Sequence, residues 1–129
     1  MALITYATKA TGDTFTAADA NEIKTVVNTN AFNGANTATG TDTVTINATS
    51  GVAVFTEGCA VAPDFTTYVI NNSLVNINSI VSVNVQSNSP GGFPSLVSVY
   101  CDNGSILIGV SDLLNFGNGA PKISFQILA

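Results

Sequence analysis

From Asp42 to Leu128 apolar residues return at every second position. Val81, Val83 and Val85 alternate with Ser82, Asn84 and Gln86, and Ile123, Phe125 and Ile127 alternate with Lys122, Ser124 and Gln126. An extended strand sends successive side chains to opposite faces, so each run makes one apolar face and one polar face. Val44 and Ile46 alternate with threonines in the same way, and "GVAVF" adds a further short apolar run. "SLVSVYCDNGSILIGV" reads as two strands joined at Asn103-Gly104, a pair that tolerates the positive φ of tight hairpin turns. "NSPGGFPS" and "NFGNGAP" read as loops. Six to eight short strands with no helix between them predict a mainly β chain, an antiparallel β-sandwich or jelly roll. The valine row and the Ile123, Phe125 and Ile127 row then face the core between two sheets, each side chain contributing roughly 1.5–3 kcal/mol on burial.

One segment departs from this period. In "TAADANEIKTVVNTNA" Ala20, Ile23, Val26 and Val27 recur at spacings of three and four, which gives a narrow apolar stripe on a helix over about 16–29. Thr16 with Asp19 three residues on approximates a capping box, the carboxylate lying near the positive end of the helix dipole. A helix of about twelve residues is marginal alone in water, so its stripe requires a partner surface. "NTNAFNGANTATGTD" follows, rich in glycine and small polar residues, and reads as a flexible polar linker. Two units are expected: an N-terminal segment over 1–41 and a β head over 42–129.

Composition restricts the chemistry. Histidine and arginine are absent, and three basic residues face eight acidic ones, for a net charge of −5. Without clustered cations a nucleic-acid partner is not expected. Without histidine the usual proton-transfer base and the commonest metal ligand are missing, so the reading is a non-enzyme with no catalytic residue, metal or cofactor. Charged residues make up only 9% of the chain, and its polarity rests on Thr, Ser and Asn. Asp42, Glu57, Asp64, Asp102 and Asp112 lie near turns or strand ends and read as solvated turn residues. Cys59 and Cys101 sit in strand-like apolar surroundings, where buried free thiols are the simplest reading, a bridge between them being the alternative. No stretch has the roughly 18 apolar residues of a membrane span, and the start lacks the basic and apolar regions of a secretory signal.

"GDTFTAADANEIKTVVNTNA" is similar to a segment near the N-terminus of many bacteriophage structural proteins, where it precedes β-rich fibre or decoration modules. "NSLVNINSIVSVNVQ", "GSILIGV" and "PKISFQIL" resemble the β-sandwich heads of such proteins, which commonly associate as trimers. The resemblance spans Gly12 to Leu128 and implies a virion structural protein, a homotrimeric head fibre or capsid decoration assembled in the host cytoplasm and displayed on the particle surface. It implies Phe15, Ile23, Val26 and Val27 as the attachment or trimer-neck surface, contacting a capsid or tail protein. Val81, Val83, Val85, Ile123, Phe125 and Ile127 become the β-core or trimer interface. The alternative is a short tail-fibre tip or lectin-like module that binds a host surface glycan through loops carrying Phe93 and Phe116.

Overall fold

Alternation of apolar and polar residues becomes eight strands in the computed structural model, which describes residues 10–30, 36–88, 92–114 and 119–129. One helix, α1 (Ala17–Asn30), precedes β1 (Thr37–Gly40), β2 (Thr43–Thr45), β3 (Ser50–Phe55), β4 (Thr66–Asn71), β5 (Val81–Ser87), β6 (Pro94–Asp102), β7 (Ser105–Asp112) and β8 (Pro121–Ile127). The described chain is mainly β, with two four-stranded sheets ordered β1-β3-β8-β5 and β2-β4-β7-β6.

Residues 37–40, read from sequence as part of a flexible linker, form β1 and pair with β3 from Thr37↔Val52 to Gly40↔Phe55. The β region therefore begins before residue 42. Its hydrogen bonds explain why: Asn36 O accepts from Val52 N at 2.8 Å, and Gly40 O accepts from Thr56 N at 2.9 Å. Thr37 and Thr39 favour a strand while Ala38 and Gly40 do not, and backbone pairing that the surrounding sheet supplies holds the run extended.

The expectation of antiparallel strands is also corrected, since β1 with β3 and β2 with β4 run parallel. The first six strands alternate between the two sheets, and each passage from one sheet to the other reverses the chain. Among them β1 and β3, and β2 and β4, meet as parallel neighbours, whereas β8 stands between β3 and β5 and β7 between β4 and β6. The remaining pairs are antiparallel, and β6 and β7 join through Asn103-Gly104 with Gly104 at φ +86°.

Residues directly paired across strands share a face, and the register assigns both faces. Ala53, Phe55, Ile123, Phe125 and Ile127 of the first sheet meet Val44, Tyr68, Ile70, Ile106, Ile108 and Val110 of the second in one buried cluster. Tyr68 packs its ring on Phe55 with centroids 4.7 Å apart, and its hydroxyl donates to Glu57 O at 2.8 Å. A buried phenol therefore brings its polar end to a partner. Val81, Val83 and Val85 lie against this cluster but are only half-buried, because β5 is the edge of its sheet.

Candidate functional site

At the start of α1, Thr16 Oγ1 accepts from Asp19 N at 3.2 Å, while Asp19 Oδ2 accepts from Thr16 N at 2.8 Å and from Thr16 Oγ1 at 3.0 Å. This reciprocal box satisfies amide groups that a helix otherwise leaves open, and it places a carboxylate at the positive end of the dipole. Beyond it, Ala20, Asn21, Lys24 and Thr25 are exposed and Ile23 is half-buried. Phe15, just before the helix, is 56% exposed. Val26 and Val27 lie outside the residues whose side chains are described. Among the described residues the helix contributes none of the β core.

The residues expected to form the core or a trimer interface divide into two sets. Ile123, Phe125 and Ile127 are buried, whereas the three valines of β5 stay partly open. Phe93 is half-exposed beside the start of β6, its carbonyl accepting from Leu113 N at 3.2 Å. Phe116 lies outside the described residues.

A larger surface escaped the sequence reading. β6 is the edge of the second sheet, and Leu96, Val97, Val99 and Tyr100 along it are all exposed. Leu96 and Val99 pair with the core residues Val110 and Ile108, so they point to the core side yet remain wet. Tyr100 pairs with Leu107 on the outer face, and a register shift between Leu96 and Ser98 turns Val97 out of the ladder. Near the far end of β5, Ile77 and Ile80 are also exposed. No charged residue occurs between Asp64 and Asp102, so charge borders this surface only at its ends, at Asp102 of β6 and at Lys122, which pairs with Gln86 of β5. The signal was present in the sequence: apolar residues at 96, 97, 99 and 100 occupy both faces of one strand, which simple alternation does not do.

Asp112 overturns its reading as a solvated turn residue. It is fully buried at the end of β7; Oδ1 accepts from Leu114 N at 3.2 Å, and Oδ2 has no hydrogen-bond partner among the described residues. The backbone explains the burial, since Asp112 N donates to Ala60 O at 2.8 Å and Asp112 O accepts from Ala62 N at 3.0 Å. The loop between β3 and β4 is thereby strapped over its side chain. Cys59 lies in that loop and not on a strand; its thiol donates to Gly119 O at 3.3 Å. Both cysteines are free, Cys59 buried and Cys101 half-buried.

Burial pushes the Cys59 thiol up, with the charge of Asp112 adding to it, and burial alone raises Cys101. Burial also raises the Tyr68 hydroxyl, helped by the negative charge of Cys59, Glu57 and Asp42. All three groups keep their protons in the folded state at pH values where the unfolded chain loses them. Their contribution is complete below the unfolded thiol value of about 8.5, and it is lost as pH rises through the unfolded and then the raised folded values. The melting temperature should therefore fall between about pH 8.5 and 11, a window set by ordinary thiol and phenol ionisation. A flat melting profile across that range would contradict the burial of these groups.

Among the described residues no three His, Cys, Asp or Glu side chains gather as metal ligands, and no helix is long and apolar enough to cross a membrane. An open groove of about 180 Å³ on the first sheet is lined by Ser82, Asn84, Ser124, Phe125 and Gln126. This is below the roughly 300 Å³ at which small-molecule sites begin. Comparison with family models, with curated proteins and with solved structures gives no match for the chain.

Proposed function

We propose that this chain is a structural protein of a bacteriophage particle, a homotrimer serving as a head fibre or capsid decoration, with no catalytic role. In this reading its N-terminal segment attaches to a capsid or tail protein. The two sheets pack as a sandwich of the jelly-roll kind and form the projecting head. The observation that carries the reading is the capped helix, whose described side chains lie outside the β core. A helix of 14 residues has little stability by itself, so a surface beyond that core must hold it. Phe15 and Ile23 are the described apolar side chains placed to meet that surface. The sparsely charged, hydroxyl- and amide-rich composition suits a β head displayed on a particle.

Ile23→Asp tests the attachment. Particles assembled with this variant should carry at least roughly fivefold less of it, since an apolar anchor residue of an interface contributes more than about 1 kcal/mol. The melting transition of the β head should not move. Copies per particle can be read by quantitative gel densitometry, and the melt by circular dichroism. Unchanged occupancy, or unfolding of the head in the variant, would overturn the reading.

A further inference from the structure

We infer that the neutral apolar edge along β5 and β6 is where a second copy of this chain packs, an inference that deepens the trimeric reading above and rests on it. β6 is nine residues long, lies at the edge of its sheet and exposes apolar side chains on both faces. Soluble proteins guard such edges with lysine or other charges, because an open apolar edge recruits another chain. Here no charge stands from Phe65 to Cys101, and the guards that do occur are Pro94, the irregularity at Val97 and one exposed carboxylate, Asp102, at the last position of the strand.

The area fits association. Leu96, Val97, Val99, Tyr100, Ile77 and Ile80 are each between 38% and 60% exposed. Taking half of the roughly 150–250 Å² that an aromatic side chain buries as an upper figure for each, they amount to at most on the order of 600 Å². That equals the largest apolar patch a solitary protein usually shows, about 300–600 Å². It is also most of the ~800 Å² that each partner gives to a standard interface. The patch is continuous in the fold: Ile80 leads into β5, and Gly104 N donates to Val75 O at 2.8 Å, tying the segment that carries Ile77 to the β6–β7 turn.

Charge selects the occupant. Copies with a net charge of −5 repel one another where acidic groups face each other. The stretch between Asp64 and Asp102 is the longest in the chain without a charge, so two copies meet on it with little of that repulsion, and it offers a cationic partner little to pair with. Half-burial of the β5 valines follows, because their cover comes from the neighbouring copy. In a threefold arrangement three such edges converge on the axis and close the set.

The test is sedimentation velocity on the full chain across the micromolar range, with hydrogen exchange at concentrations on either side of the association midpoint. The wild type should sediment as a multiple of the single chain, and the amides of Ser95 to Cys101 should gain protection as it assembles. The pair Val97→Asp with Tyr100→Glu, both at exposed positions, should weaken association by roughly 100-fold or more, as the loss of central apolar contacts does. As a control, the pair Thr37→Asp with Thr39→Asp places the same added charge on β1, the opposite edge of the first sheet, and should leave association intact. A wild type that stays a single chain at every concentration would overturn the inference. So would an assembly that survives the double variant and leaves β6 exchange unchanged; if the variant misfolds, the exchange data decide alone. A dimer that the double variant dissolves would retain this edge and remove the threefold count, and loss of the Ile23→Asp effect would strike the attachment reading alone.

Discussion

Phe125→Ala is expected to destabilise the β region by about 3–5 kcal/mol, the range for emptying a buried aromatic site. Phe125 lies on β8, an interior strand of the first sheet, between Gly51 of β3 and Val83 of β5 in the register, and it is 1% exposed. Its ring lies over Gly51, where an added Cβ would stand 3.1 Å from Phe125 Cε1. Glycine has no side chain with which to collapse into the space left by the ring, so the hole stays open and the cost falls toward the upper end. Chemical denaturation followed by circular dichroism reads the loss as a lower midpoint with an unchanged slope. A cost below about 1 kcal/mol would mean that the ring is not packed as described.

Gly40→Ala is expected to be the next largest, at about 1–3 kcal/mol for forcing a methyl group into filled space. Gly40 ends β1 in one sheet, and Thr43 begins β2 in the other, so the chain turns a corner between layers in two residues. A Cβ at Gly40 would run into the carbonyl oxygen of Thr43 and would stand 2.9 Å from Val44 Cγ1. The first obstacle is backbone, which no rotamer change moves aside. Gly40 O also accepts from Thr56 N, so a shift of the corner strains the start of the next loop as well. Gly104→Ala is the control: its Cβ would meet nothing within 4 Å, and its φ of +86° alone costs about 1 kcal/mol. A Gly40→Ala variant as stable as the wild type in the same denaturation experiment would show that the corner relaxes.

The elements written in side-chain chemistry were legible in the sequence. Ile123, Phe125 and Ile127 announce β8 because a two-residue period with large apolar groups has few other solutions, and Asn103-Gly104 announces its turn through backbone freedom. Thr16 and Asp19 announce the start of α1 because the carboxylate and hydroxyl that cap it are local. β1 was illegible: Thr37, Ala38, Thr39 and Gly40 carry no period, and their pairing with β3 comes from strands that arrive later in the chain. Asp112 was illegible for a related reason, since its burial depends on a loop fifty residues earlier in the chain. The candidate site was half legible. Alternation tells which side chains share a face but not whether anything covers it, so the β5 valines were placed on the core side while the openness of β6 beside them was not foreseen.

The place of β8 bears on how the molecule is made. Its strand lies between β3 and β5, with seven register pairs to β5 and five to β3. Until residues 121–127 have left the ribosome, the β1–β3 pair and β5 have no connection in that layer, and the apolar sides of both stay wet. Assembly of the first sheet therefore works by insertion of a central plank and not by growth from one edge. A nascent chain stalled before Pro121 would hold two loose half-layers, the kind of species that chaperones retain.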